Sequence, residues 1–373
     1  MQYRKFGNTG EKISVLGFGG MRLPMKKADG KEEMDKEACF GLLRHAVERG
    51  INYFDTAYFY SGGMNEYVMG EALKPYRKDI LLSTKCPMGD VKERGDYRRF
   101  LEKQLKKLDT DYIDFYHFHG IGKKNLEEQI LPMNLMEEAR KAKEEGLIRH
   151  ISFSFHDEPE VMKEIIEKTE IMESVLCQYN LLDQKNAPVM EYARSKGLGV
   201  VVMGPVGGGN LVEPTDVFGR EMSTPELALR FVLSNPSVCC ALSGMNTMEM
   251  LDENIDTAER LEPMTEQQME SIEEILNRVK QLADLYCTGC NYCMPCPQGI
   301  NIPTIFRLMN LHKVYQLTNV AKQRYSRVGK DEYLGKHPEV CVQCGQCEKK
   351  CPQHIQIIRQ LEEVRNEFEN VLK

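Results

Sequence analysis

Tyr112-Ile113-Asp114-Phe115-Tyr116 is a short apolar run set between amphipathic helical stretches, and the chain repeats that unit. Runs of the same kind stand at Val15-Leu16-Gly17, Tyr53-Phe54-Asp55, Ile80-Leu81-Leu82-Ser83, Ile151-Ser152-Phe153, Val175-Leu176-Cys177, Val200-Val201-Val202 and Val238-Cys239-Cys240-Ala241-Leu242. Alternating strands and helices predict a parallel sheet. Eight such units in about 250 residues predict a closed (β/α)8 barrel of the TIM type. An open, doubly wound sheet is the competitor, but its dinucleotide-binding fingerprint, Gly-x-Gly-x-x-Gly at a first strand–helix turn, is not found. The glycine-rich loop of this chain, Gly204-Pro205-Val206-Gly207-Gly208-Gly209, comes late in the order.

Ahead of the first strand, Tyr3-Arg4-Lys5-Phe6, the turn Gly7-Asn8-Thr9-Gly10 and Ile13 to Gly19 predict a hairpin that runs into a strand. Residues 36 to 49 place Ala38, Phe40, Leu42, Leu43, Ala46 and Val47 at helical intervals, and Gly50 stops that helix. Behind the last strand, residues 265 to 286 predict a helix opened by a Thr265–Gln268 capping box. The barrel domain is therefore read as residues 1–280.

The remaining residues, 281–373, are dominated by two cysteine runs. They are Cys287-Thr288-Gly289-Cys290-Asn291-Tyr292-Cys293-Met294-Pro295-Cys296-Pro297 and Cys341-Val342-Gln343-Cys344-Gly345-Gln346-Cys347-Glu348-Lys349-Lys350-Cys351-Pro352. Repeated Cys-x-x-Cys closed by Cys-Pro is the spacing that holds iron–sulfur clusters. A zinc ion held by four thiolates is the alternative use of such pairs. In two-cluster ferredoxins the fourth cysteine of each run serves the other cluster. Cys287, Cys290, Cys293 and Cys351 would then hold one [4Fe–4S] cluster, and Cys341, Cys344, Cys347 and Cys296 the second. Helical stripes at Ile305, Leu308, Met309, Val314 and Leu317, and at Ile357, Leu361, Val364, Phe368 and Val371, give the tail the look of an α-helical dicluster ferredoxin. The last stripe can dock on the tail's own chain, on the barrel or on a partner.

A formal charge of −7 without clustered Lys and Arg argues against a nucleic-acid footprint. The start, Met1-Gln2-Tyr3-Arg4-Lys5, lacks a secretory signal, and no run of about 18 apolar residues is present to span a membrane. A soluble, cytoplasmic protein is expected. Thirteen cysteines in a reducing compartment are expected to be ligands and buried thiols rather than disulfides.

A barrel collects its chemistry at the C-terminal strand ends, which here carry Asp55, Lys85, His119, Ser154, Gln178, Met203 and Gly244. Phe54-Asp55-Thr56-Ala57-Tyr58-Phe59-Tyr60 with Asn65-Glu66, Leu82-Ser83-Thr84-Lys85 and Asp114-Phe115-Tyr116-His117-Phe118-His119 together resemble the aldo-keto reductase pattern. Tyr3 to Gly7 and Gln178-Tyr179-Asn180 extend the resemblance over about the first 260 residues. It implies a catalytic tetrad of Asp55, Tyr60, Lys85 and His119. In that tetrad Lys85 favours the charged form of Tyr60, Asp55 aims the lysine, Tyr60 protonates a developing alkoxide, and His119 hydrogen-bonds the carbonyl oxygen.

The resemblance also implies a nicotinamide cofactor over the barrel mouth. Ser154 and Gln178 match the positions that hold its carboxamide, although the usual Ser-Asn pair is Ser154-Phe155 here. Met203 takes the place of a stacking aromatic ring, and Glu253 and Asn254 match the adenosine end. The cations that grip a 2′-phosphate fall on Gly244 and Met250, which lowers the expectation of NADPH relative to NADH or a flavin. Gly207-Gly208-Gly209 is a run where backbone can approach a pyrophosphate, with a flexible barrel loop as the plainer reading, and Gly204 and Gly207 are counted among the cofactor-binding residues.

Three functions follow. One is NAD(P)H-dependent reduction of a small carbonyl substrate, with the clusters attached or coupled. Another is an electron-transfer protein whose barrel binds a flavin-like cofactor and whose clusters meet a redox partner protein. The third is an oxygen- or redox-sensing binding protein. Substrate, oligomeric state and partner are not encoded in any motif.

Overall fold

The computed structural model describes residues 1–28, 31–207, 222–260, 262, 264–270, 272–274, 277, 293–313, 315–351 and 355–372. The chain divides into two compact units, Met1–Gly209 with Pro225–Met264, and Asn210–Thr224 with Thr265–Lys373. The 280/281 boundary read from the sequence lies outside the described residues.

The first unit is a closed barrel of eight parallel strands. They are β1 (Leu16–Gly19), β2 (Tyr53–Asp55), β3 (Leu81–Cys86), β4 (Ile113–Ile121), β5 (Ile148–Phe155), β6 (Ser174–Gln178), β7 (Gly199–Met203) and β8 (Cys240–Ser243), with β8 pairing β1 to close the ring. Each overlaps a predicted run. Helices α1 (Lys36–Glu48), α2 (Asn65–Leu73), α3 (Asp96–Leu108), α4 (Leu135–Glu144), α5 (Pro159–Thr169), α6 (Ala187–Ser195), α7 (Thr224–Ser234) and α8 (Met248–Arg260) follow the strands in turn. Helix α1 illustrates why they form. Asp35 caps it by accepting from the Ala38 N–H at 3.2 Å, and Cys39, Leu42, Leu43 and Ala46 bury one face. His45 on α1 and Arg49 at its C-terminal cap then reach Asp252 on α8 at 2.8 and 2.7 Å, a structural use of His45.

Alternate strand residues face the barrel interior, and their order from floor to mouth sets up the site. Strand β4 stacks Phe115, His117 and His119 in that sense, while β3 stacks Leu81, Ser83 and Lys85. The floor is a cluster of Phe6, Ile13, Tyr53, Leu81, Phe115, Leu176, Val201, Cys240 and Leu242. Phe6 comes from the N-terminal hairpin, Tyr3–Lys5 paired antiparallel with Lys12–Ser14, and its ring centroid lies 4.7 Å from that of Phe115. Ile13 to Gly19 thus serves two elements rather than one continuous strand, because Ile13 is needed on the floor and Leu16 onward in the wall. A Cβ placed on Gly199 would fall 2.1 Å from the Phe6 ring, so glycine there admits the plug.

In the second unit Thr265 and Gln268 form the predicted capping box, with reciprocal bonds of 3.0 and 3.2 Å. Beyond residue 277 that helix lies outside the described residues, which begin again at Cys293. Helices α9 (Ile302–Lys313), α10 (Thr318–Tyr325) and α11 (Ile357–Leu372) pack together. Val314 of the first predicted stripe lies outside the described residues. The α11 stripe of Ile357, Leu361, Val364 and Phe368 is buried, and Phe368 stacks on Tyr325 of α10 with centroids 4.3 Å apart. The stripe is therefore used inside its own unit. Among the described residues no helix is long and apolar enough to cross a membrane.

Candidate active site and cysteine pocket

Asp55 ends β2 in register with Ser83 of β3, and two residues further Lys85 rises to the same level. The Lys85 Nζ donates to Asp55 Oδ1 at 2.5 Å and to the Thr56 carbonyl at 2.6 Å, while Ser83 Oγ donates to Asp55 Oδ2 at 2.8 Å. Lys85 is 1% exposed. Burial pulls its pKa down, but Asp55 and Tyr60 outweigh that and hold it above the ordinary lysine value. The result is a fixed positive charge at the mouth.

Tyr60 lies over that charge, with Lys85 Nζ 5.1 Å from its ring centroid. The His119 ring stands 6.4 Å away, centroid to centroid, at 81°. The four residues predicted from motif position are thus brought together. Tyr60 sits on a tight turn in which Ser61 and Gly62 have φ of 50° and 64°. The turn is held from behind by Lys107 of α3, whose Nζ donates to the Gly63 carbonyl at 3.3 Å and pairs with Glu66 Oε2 at 3.2 Å. Glu66 is fully buried and also accepts from Thr84 and Gln104 at 2.7 and 2.5 Å.

The electrostatics differ from the sequence expectation in one respect. Lys85 does lower the phenol's pKa, yet burial is the larger effect and Asp55 adds to it, so Tyr60 ends above the ordinary tyrosine value. The phenol is protonated at neutral pH. Burial, then Lys85, then His156 push His119 down to about 3, leaving a neutral imidazole with one N–H to donate. His156, absent from the sequence-derived set, is itself lowered by burial, Lys85 and Lys185. His117, one layer below the mouth, is likewise driven to about 3 by burial and then by Lys85.

Around this centre, Ser154 of β5 is buried and its Oγ accepts the Gly120 N–H at 2.7 Å. Gln178 and Met203 are register partners at the ends of β6 and β7, both half-buried. Gly204, at φ 63°, lies so near that a Cβ there would fall 2.9 Å from Gln178 Nε2, and its carbonyl accepts from Asn180 at 3.0 Å. Gly207 also has φ 63°, while Gly208 and Gly209 lie outside the described residues. Beyond β8, Asn254 Nδ2 donates to Ser243 Oγ at 3.2 Å, with Glu253 exposed beside it.

The stem of Arg22, from the loop after β1, packs beside Gly244: a Cβ there would lie 3.4 Å from Arg22 Cδ.

In the second unit, Cys296, Cys341, Cys344 and Cys347 line one pocket together with Cys293. The four are the set predicted for one cluster. Among the described residues no group of three or more Cys, His, Asp or Glu side chains is placed to hold a metal ion. Cys293 and Cys351 are buried; Cys287 and Cys290 lie outside the described residues. The described cysteines are all free of disulfides. Cys86, Cys177 and Cys240 are buried, and the thiols of Cys86 and Cys177 are each pushed up to about 12 by burial, as expected of inert core groups.

A parallel eight-stranded barrel with a buried Lys–Asp pair beneath a tyrosine, joined to a cysteine-rich helical unit, defines an oxidoreductase with an iron–sulfur appendage. Residues 15–216 match the aldo/keto reductase family, and residues 286–356 match a 4Fe-4S dicluster domain. The chain belongs to the aldo/keto reductase family. It is 30% identical over 311 residues to the uncharacterized oxidoreductase YqkF of Bacillus subtilis, covering 73% of this chain and 96% of that one. L-galactose dehydrogenase of Arabidopsis thaliana is 27% identical, with coverage of 76% and 96%. The holo form of the aldo-keto reductase AKR11C1 from Bacillus halodurans superimposes with a TM-score of 0.64 at 27% identity, covering 74% of this chain and 96% of that chain.

Proposed function

We propose that the barrel reduces an aldehyde or ketone with NAD(P)H, Tyr60 serving as general acid. The observation that carries this is the buried Lys85–Asp55 pair, 2.5 Å apart, whose Lys85 Nζ lies 5.1 Å from the centre of the Tyr60 ring. Charge is expensive to bury, and its use here is to steer one proton. As an alkoxide develops, the raised pKa of Tyr60 means that the phenol still carries the proton to be given. Lys85 steadies the phenolate that remains, and Asp55 keeps Lys85 charged and aimed. His119, neutral, donates its N–H to the carbonyl oxygen.

The mouth fits a nicotinamide. Gln178 keeps its amide beside Gly204, where only glycine leaves the space open, and Ser154, Gly207, Gly244, Glu253 and Asn254 would line the rest of the cofactor, with Met203 against its ring. When bound, the nicotinamide supplies a hydride to the carbonyl carbon. Cys287, Cys290, Cys293 and Cys351 would hold one [4Fe–4S] cluster, and Cys296, Cys341, Cys344 and Cys347 the other.

NADH and NADPH oxidation measured anaerobically with a panel of aldehydes, ketones and sugar-derived carbonyls tests the reading. The sugar-derived compounds are included because one relative is an L-galactose dehydrogenase. Activity is expected to fall about 10²- to 10⁴-fold in Tyr60→Phe; binding of neither nicotinamide refutes it.

A second reading is favoured by the cysteine pocket, since two-electron carbonyl reduction makes no use of one-electron centres. In it the barrel binds a flavin-like cofactor and exchanges single electrons with the clusters. Spectra that bleach on adding a flavin and a reductant, but not on adding NAD(P)H, would select it.

A further inference from the structure

The pocket formed by Cys296, Cys341, Cys344 and Cys347 opens on a surface with a distinct composition. Cys344 is exposed, while the other described cysteines of the two runs are buried or half-buried. Val342, which lines the pocket, is 61% exposed. The exposed large apolar side chains described in this unit, Tyr333, Val340 and Val342, all fall between residues 333 and 342. The turn that carries Tyr333 is fastened to the pocket wall: its carbonyl accepts from Asn301 at 3.1 Å, and Gly335 bridges Ile300, which lines the pocket.

Charge surrounds this apolar rim. Lys336 packs along Gly299, a Cβ there falling 3.5 Å from its Cδ, and Lys349 and Lys350 end the short helix Gln346–Lys350 that begins at the pocket. All three lysines are exposed. Of the nearby carboxylates, Glu339 is exposed, whereas Glu348 is occupied in accepting the Ile358 N–H at 2.9 Å. The segment from 281 to 373 carries twelve Lys and Arg against nine Asp and Glu, in a chain whose total is −7. The basic excess is therefore local to the tail.

We propose that the Tyr333–Val342 rim with Lys336, Lys349 and Lys350 docks an acidic one-electron carrier protein over Cys344. This rests on the reading that the four pocket cysteines hold a cluster. An apolar centre with a charged rim is the anatomy of a transient protein interface, and the lysines select a partner of opposite sign and speed its encounter. With a cluster held by Cys296, Cys341, Cys344 and Cys347, each encounter would pass one electron from it, once reduced, to the carrier's acceptor group, with no bond or proton exchanged. A cluster ligand at the surface sets the short donor–acceptor distance that such transfer needs.

The test uses the full chain with clusters reconstituted anaerobically and reduced with dithionite, so that barrel chemistry is not involved. The acceptors are an acidic flavodoxin and, as a neutral small oxidant, benzoquinone. Lys336→Glu/Lys349→Glu/Lys350→Glu is expected to lower the second-order rate to flavodoxin at low salt at least about tenfold and to flatten its salt dependence. Binding of oxidised flavodoxin measured by calorimetry should weaken by a similar factor, with cluster absorption and the benzoquinone rate unchanged. Val342→Ser is expected to weaken binding without changing the salt dependence. Equal flavodoxin rates in parent and triple variant, or an equal loss with benzoquinone, overturn the proposal while leaving the cluster reading intact. A reconstituted chain without a cluster spectrum overturns both.

Discussion

Removing Cys344 together with Cys296 should cost one cluster, whereas removing Cys344 together with Cys351 should cost two. The pocket is the reason: Cys296 from the first run lines it with Cys341, Cys344 and Cys347 from the second, alongside Cys293, and the proposed assignment has the two runs exchange their last ligands. A [4Fe–4S] cluster holds four irons, and a chain with both clusters carries about eight. Cys344→Ala should leave about four. Adding Cys296→Ala should leave the value near four, because that cluster is already gone. Adding Cys351→Ala or Cys293→Ala instead should bring it toward zero. Iron and acid-labile sulfide after anaerobic reconstitution, with visible absorption as a parallel measure, give the answer directly. The opposite pattern, with Cys296 loss emptying the Cys344→Ala chain and Cys351 loss harmless, means that each run serves its own cluster and that no ligand is exchanged through the pocket.

Other expectations concern the barrel. Asp114 is buried and binds Arg77 at 2.7 Å, Arg149 at 2.9 Å and the Leu82 N–H at 2.9 Å; Asp114→Ala should destabilise the fold by about 3 kcal/mol or more, visible as a lower thermal midpoint, and an unchanged midpoint contradicts this. Gly199→Ala should lower the midpoint by displacing the Phe6 plug, with a cost of about 1–3 kcal/mol; a silent substitution would mean that the floor is loosely packed. Because His119 titrates at about 3 and Tyr60 above the ordinary value of about 10, kcat/KM for carbonyl reduction should be flat from about pH 6 to 9.5, and an acid limb near 6.5 would show a protonating His119. The depressed pKa of His117 has a stability consequence as well. The unfolded imidazole takes its proton near pH 6.5 and the folded one only near 3, so stability present above pH 6.5 is lost as the pH falls toward 3.

The barrel was legible because its signals are local. Each strand is a short apolar run, and a run such as Val200-Val201-Val202 needs no partner to be recognised. Asp55, Tyr60, Lys85 and His119 were legible because each ends or closely follows such a run, in short motifs that resemble those of a known family. What escaped depends on register and on distant elements. His117 looks like any strand residue until its inward parity beneath Lys85 is known. Lys107 is one of several helical lysines until α3 is seen to place it on Glu66 and the Tyr60 turn. Arg22 and Gly244 are more than two hundred residues apart, and only the pairing of β8 with β1 makes them neighbours. The direction of the Tyr60 pKa escapes for the same reason, since burial is a property of the assembled mouth.

The enclosure of Lys85 also gives the molecule a chemical gauge of its own opening. An amine that is 1% exposed and hydrogen-bonded to Asp55 and to the Thr56 carbonyl is closed to acylating reagents that modify surface lysines within minutes. Its slow acquisition of a label, read by mass spectrometry against Lys336 or Lys349 in the same sample, would time the opening of the barrel mouth, with no substrate or cofactor required.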